Sequence, residues 1–401
     1  MNSASARVNI FTFRVSQKVL FLMGLAPYTA IIETPLSNVS EIVIKFSYSR
    51  RGCIYNITLA TLITITVITL VPEILKFSHP NYGPLVKIID TILTGLGSIV
   101  VVITILMCCH HQQNIVNVGN QLGDFHQKFK VKLSQKVTSE LMTWDYSIIV
   151  LIFFVFCVGL VTANLLLYQS YILLSFLPMA IISASFIIQY SLAVKTLKGM
   201  IRSVNESISE MNNCLIVFRE ESFVPENTAN PRSITRNLTA VRRARAVICK
   251  IADQIIDIYG IPSLLIIFYA CCCCVSAMYF LITNFMIQER LFLNAASLNG
   301  IMWVLLIIFP ISLLSEMVKR FNAEMWRTAE LVYDFRETCG LNKDIIYELH
   351  DFAVELLHRK VEFTASGFFS LDCTLLHAIF GMVVTYLIIL LQYKPLDVSS
   401  H

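Results

Sequence analysis

Charge is what this chain holds least of. Asp, Glu, Lys and Arg together make up 14% of its 401 residues, where ordinary soluble domains carry about 25%. Apolar residues reach 56%. No soluble fold of this length hides that much apolar surface while hydrating itself with so few charges. Disorder and collagen are excluded on the same ground. Motifs of group-transfer chemistry are missing too. The chain has no HExxH, no Gly-rich phosphate loop and no Asp/Glu/His cluster on one face of an apolar run, which argues against an enzyme. Neither a cofactor nor a metal is expected, and nucleic acid is not an expected partner. An internal repeat is also absent, which weakens a transporter reading. The twelve cysteines suggest a disulfide framework only if position is ignored. Cys271, Cys272, Cys273 and Cys274 are consecutive within an apolar run, so helix geometry fans them around the circumference as small packing residues.

What is present is a series of long apolar runs. A hydrocarbon core of about 30 Å needs roughly 20 residues of helix. Seven segments meet that length: Cys53–Val71, Val86–Cys108, Tyr146–Leu167, Tyr171–Val194, Ile261–Phe285, Asn299–Val318 and Cys373–Gln392. Each must be helical, because an open strand leaves backbone groups unsatisfied in lipid. The expected fold is an all-α polytopic membrane protein. Upstream, Arg14 and Lys18 precede the short apolar stretch Val19–Ala26, which reads as a lead-in helix rather than a cleaved signal.

Basic residues set the orientation. With the N-terminus in the cytosol, only Lys76, Lys87, Arg290 and Lys394 of the 31 Lys and Arg residues fall outside. The expectation is an inverted topology, N-in and C-out, opposite to that of G-protein-coupled receptors. The Asn-x-Ser/Thr triplets at Asn38, Asn56, Asn205 and Asn237 then carry no sugar.

The inner segments remain periodic. Phe321, Met325, Thr328, Val332 and Phe335 recur at intervals of four, three, four and three, a helical stripe. Gly340 reads as a stop, and Ile345, Leu349, Phe352 and Leu356 form a second stripe. Such stripes either pack within their own subunit or bundle partly between subunits as helical extensions beyond the bilayer. Between the fourth and fifth spans, the stretch from Glu220 to Pro231 is polar with two prolines and no periodicity, and marks a flexible linker. Arg242, Arg243 and Arg245 follow, a cluster suited to anionic membrane lipid or to a regulatory site.

The last span differs from the rest. Gly367 to Asp372 interrupts the preceding amphipathic helix, with Ser370 or Asp372 as the cap of a new one. Thr385 and Gln392 lie seven apart with Ile388 and Ile389 between them, so all share a face. That face serves either interhelical hydrogen bonding or a pore, where apolar rings obstruct flow by dewetting and a polar ring meets hydrated ions.

The run Thr385-Tyr386, five hydrophobic residues, Gln392 and the aromatic Tyr393 resembles the C-terminal signature of insect gustatory receptors, which usually ends in Phe. Ala365-Ser366-Gly367-Phe368-Phe369-Ser370-Leu371-Asp372 and Thr374-Leu375-Leu376 are similar to that family as well. The resemblance implies a ligand-gated, non-selective cation channel in chemosensory neurons, a homo- or hetero-tetramer opened by a small-molecule tastant. It implies a pore face at Thr385, Ile388 and Ile389 with the gate at Gln392 and Tyr393. Glucose-type sweet receptors carry an acidic residue where Leu387 stands, so the resemblance points to the bitter or fructose-like branches. The organisation it implies is a cytosolic segment 1–52, spans one to four in 53–194 and a cytosolic loop 195–260 with a linker at 219–235. Spans five and six in 261–318, a helical anchor segment 319–372, the pore-lining span 373–393 and an extracellular tail 394–401 complete it.

The resemblance also implies ligand recognition in the outer halves of the spans. Trp303, Asn299 and Asp90 are the candidate ligand-binding residues, with Asn164, Tyr168, Gln169, Asn284 and Asn294 as further polar groups near outer ends. The alternatives are a metabotropic seven-helix receptor, which requires an outward N-terminus, and a secondary transporter, which requires saturable uptake.

Overall fold

The structure, a computed structural model, describes residues 3–33, 43–76, 84–130, 149, 152–153, 155–162, 176–220, 231–288, 295–339 and 343–392. Its helices are α1 (Ser3–Leu22), α2 (Arg50–Lys76), α3 (Pro84–His110), α4 (Gln112–Lys130), α5 (Phe176–Glu220), α6 (Pro231–Gln288), α7 (Ala295–Thr338), α8 (Lys343–His358) and α9 (Cys373–Gln392). Among the described residues, six helices are long and apolar enough to cross a membrane: Arg50–Pro72, Ile88–His110, Leu177–Ile216, Ser233–Thr283, Ser297–Thr338 and Cys373–Gln392. Half of the expected span Tyr146–Leu167 lies outside the described residues. Within it, residues 155–162 are helical, and Cys157 and Leu160 pack with Leu177, Ala184 and Leu306.

One part departs from an all-α reading. β1 (Tyr28–Glu33) and β2 (Val43–Tyr48) pair antiparallel, with Tyr28 opposite Tyr48 and Glu33 opposite Val43. Alternating β-branched and aromatic residues keep their strand preference here, because a hairpin edge outside lipid can find polar partners. β2 finds them in α4: Phe46 N–H donates to Asn120 Oδ1 at 2.8 Å, and Asn120 Nδ2 donates back to Phe46 O at 3.0 Å. Gly119 makes room, since a Cβ there would lie 2.6 Å from the Phe46 ring.

Beyond the apolar runs, the helices continue without a break. α6 begins at Pro231 and α5 ends at Glu220, so both ends of the expected linker 219–235 are helical, and 221–230 lies outside the described residues. α5 and α7 pack along one another, burying Val204 and Ile208 with Phe321, Val332 and Phe335. In this layer Asn205 is fully buried. Its Nδ2 donates to Glu324 O at 2.8 Å, and its Oδ1 accepts from Thr328 Oγ1 at 2.6 Å. The polar member of the first stripe is thus satisfied by the partner helix. α8 buries Ile345, Leu349 and Phe352 against α6 and α7. Both stripes pack within their own chain.

Two members of the basic cluster on α6 turn inward, while Arg243 stays exposed. Arg242 Nε lies 3.0 Å from Glu348 Oε1, a close ion pair without linear hydrogen-bond geometry, and Nη1 lies 3.5 Å from Asp351 Oδ2. Arg245 is 2% exposed, and its Nη2 donates to Arg359 O at 3.4 Å. These two arginines fasten α6 to α8 and to the segment that follows it.

Between α8 and α9 the chain makes a tight loop. Ala365 N–H donates to Phe369 O and Leu371 N–H to Phe363 O, each at 2.9 Å, while Phe363, Ala365 and Leu371 are buried. Ser366 and Gly367 take positive φ, 51° and 78°. α6 comes so near that a Cβ on Gly260 would meet Ser366 Oγ at 3.1 Å. An aromatic cluster surrounds this loop. Tyr190 stacks on Tyr259 at 4.7 Å, and Phe321 meets Phe363 edge-on at 5.1 Å.

Candidate functional site

α3, α5 and α7 start, and α6 finishes, at the end of the bundle away from α8. There the four helices part around a cavity of about 180 Å³. Asp90 enters from α3, Ser183 from α5, and Asn299 and Trp303 from α7. The three residues singled out in the sequence, Asp90, Asn299 and Trp303, therefore share one cavity although more than 200 positions separate the first from the others. Asn164, Tyr168, Gln169 and Asn294 lie outside the described residues, and Asn284 falls near the end of α6.

Sequence reasoning missed the largest contribution, that of α6. Tyr269, Cys273, Ser276 and Phe280 recur at intervals of four, three and four and line the cavity together. That spacing is a helical face. In a span apolar on every side, however, a stripe has no contrast to stand against. Gly97 of α3 is a hidden participant: a Cβ there would lie 2.6 Å from Tyr269 Oη, so only Gly allows the ring to reach its place in the wall. Pro310 of α7 is another. It supplies no N–H, leaving the Leu306 carbonyl without its usual helical donor, and both residues line the cavity. Ser183 Oγ is buried with no hydrogen-bond partner. Buried polar groups in that condition await a ligand or water.

The other candidate site is α9. Its N-terminus is capped by Asp372, whose Oδ1 accepts from Thr374 N–H at 2.9 Å. The Thr374 hydroxyl and N–H together hold the Asp372 carboxyl below its ordinary pKa. α9 rests on α6 and α7, yet only Leu375 and Val383 are buried along it. Thr385 and Gln392 are exposed, as are Ile388 and Ile389 at 51% and 40%. Thr385 Oγ1 donates to Gly381 O at 2.9 Å, a bond internal to the helix. Tyr393 lies outside the described residues. A strongly apolar helix so little covered by its own chain needs lipid, another subunit or a pore on its remaining faces.

No group of His, Cys, Asp and Glu among the described residues could hold a metal ion. All twelve cysteines are free thiols, those at 271–274 among them, with Cys271 and Cys274 buried.

Comparison with known proteins adds family and fold. A stretch of 46 residues is 50% identical to putative gustatory receptor 2a of Drosophila melanogaster, covering 12% of this chain and 11% of that one. Gustatory and pheromone receptor 32a of the same organism is 31% identical over 98 residues, 24% of this chain and 21% of that protein. The matched stretches thus span about a tenth to a fifth of these relatives' length. In three dimensions the chain is similar to the insect olfactory receptor OR5 from Machilis hrabei, with a TM-score of 0.64 at 12% identity over 97% of this chain and 99% of that one. The same receptor in complex with eugenol gives 0.57 at 13% identity over the same shares. A family model described as 7tm Chemosensory receptor matches residues 13–397. The chain therefore belongs to the 7tm chemosensory receptor family: it is a helical membrane receptor, not an enzyme.

Proposed function

We propose that this receptor is itself a ligand-gated, non-selective cation channel of the chemosensory neuron's plasma membrane. It crosses the bilayer seven times with its N-terminus in the cytosol, and it assembles as a homo- or hetero-tetramer with copies or relatives. Its tastant is a bitter plant compound or a fructose-like sugar. One observation carries the reading: α9 is apolar and largely uncovered by its own chain, yet its exposed face bears Thr385 and Gln392. Placed around an axis, four such helices put Ile388 and Ile389 at a dewetting constriction and Gln392 and Tyr393 at a polar mouth. The gustatory names of the sequence relatives support a tastant, and the eugenol complex of the olfactory receptor supports a small organic one.

The cavity supplies the trigger. Its walls include α6 and α7, the two helices on which α9 rests. A ligand that binds more tightly to one arrangement of those helices biases α9 by that difference in affinity. The loop before α9, wedged among Tyr190, Tyr259, Phe321 and Phe363, ties the base of the pore helix to the same elements.

The test is electrical. Cells expressing the chain with its co-receptors are expected to give tastant-evoked cation current that survives block of G-protein signalling. Gln392→Ala is expected to alter relative permeability or resting leak. Unchanged conductance, selectivity and closure in that variant would remove Gln392 from the pore, and current abolished by G-protein block would remove the channel.

A further inference from the structure

Asp90 is the carboxylate in the cavity wall, and the described lining contains no lysine, arginine or histidine to balance it. A carboxylate in an apolar site without a cation is unfavourable unless it takes up a proton or a positive partner. The same cavity is lined by the rings of Trp303, Tyr269, Tyr279 and Phe280, a residue class whose faces attract cations. Two further groups favour a donor: Ser183 Oγ, which is buried and unpartnered, and the Leu306 carbonyl, which Pro310 deprives of its helical N–H. The volume of about 180 Å³ is close to the roughly 150 Å³ of an engineered cavity that binds benzene, so it accommodates a single ring with a short substituent. A sugar fits this wall poorly. Each of its hydroxyls needs a partner, and Asp90, Ser183, Ser276 and Asn299 meet only some of them in a wall otherwise built of Ile, Leu, Ala and aromatic side chains.

We infer that the ligand of this cavity is a compact protonated amine, its ammonium paired with Asp90 and its apolar body enclosed by Trp303 and the tyrosine rings. The inference rests on reading the cavity as the receptor's ligand site, and it narrows the tastant to an organic cation.

Binding and gating are measured separately. Purified full-length protein in detergent is titrated with 2-phenylethylamine and with its uncharged counterpart 2-phenylethanol, and the thermal midpoint is followed. The amine is expected to stabilise at concentrations at least tenfold lower than the alcohol. In Asp90→Asn, which keeps shape and removes charge, that preference is expected to vanish while the response to the alcohol stays. Equal potency of the two probes in the wild-type protein, or a preference that persists in Asp90→Asn, overturns the inference. If the variant does not fold, the wild-type comparison decides alone. Amine binding without evoked current in cells overturns the channel reading and leaves this inference standing. Current evoked by a neutral compound, with no amine preference in binding, does the reverse.

Discussion

Single residues here perform tasks that their type alone does not announce. Asp372 belongs to a stretch that the sequence marks as a break, and the structure shows which of its two candidate caps acts: the carboxylate accepts from Thr374, ahead of an otherwise apolar helix. Because those bonds hold its pKa low, the cap is fully formed above the ordinary carboxylate range, near ~4. It is lost only as pH falls through the depressed value. Asp372→Ala is expected to lower stability by about 1 kcal/mol. The gap between its thermal midpoint and that of the wild type is expected to stay constant from about pH 5 to 8 and to close in strong acid; a gap that closed near neutrality would contradict the capping role. Gly97 gives the opposite lesson. Nothing in the local sequence distinguishes it from Gly95, which has open space where a Cβ would go, yet Tyr269 fills that space at Gly97.

At the scale of elements, the helices beyond the apolar runs are legible in outline because their sequence is no longer apolar on every side. There the contrast between apolar and polar positions returns, and the stripes from Phe321 to Phe335 and from Ile345 to Phe352 mark the faces that become buried. The partner of each face was not legible. The Asn205–Thr328–Glu324 cluster joins α5 to α7 across more than 100 positions, and both side chains of its central bond are fully buried. Asn205→Ala removes the bonds to Glu324 O and Thr328 Oγ1, leaving the Thr328 hydroxyl only its bond to Glu324 O. At roughly 0.5–1.5 kcal/mol for each lost bond, it is expected to lower stability by about 1–3 kcal/mol. In a Thr328→Val background the same substitution is expected to cost measurably less, since contacting partners are not additive. Additive losses in the thermal denaturation of the four proteins would show that the bond does not couple the helices. Arg242 illustrates why charge pattern misleads at this scale. A run of three basic residues suits a lipid surface, but Glu348 and Asp351 arrive from a helix about a hundred positions later to take it up.

At the scale of the whole molecule, two of the membrane-length helices among the described residues stay largely uncovered by their own chain. α2 presents Ile54, Ile57, Leu62, Ile65 and Ile68 outward, a face suited to lipid. α9 presents its mixed face, suited to an axis shared with other subunits. The proposed orientation follows from basic residues alone. An epitope fused ahead of Met1 is therefore expected to stain only after permeabilisation, and staining of intact cells would invert the molecule and undo the pore assignment. Composition and periodicity alone determined that this is a helical membrane protein, because apolar length and the requirement for satisfied backbone groups act on each segment separately. They also located the interrupted final helix, whose Gly367 and Asp372 act locally. Tertiary structure decided the rest: which helices enclose the cavity, which carboxylate enters it, and which basic residues are tied to other helices. The physical reason is that lipid erases the polar–apolar contrast by which a sequence marks its buried faces. Inside the bilayer, only packing tells a wall from an exterior.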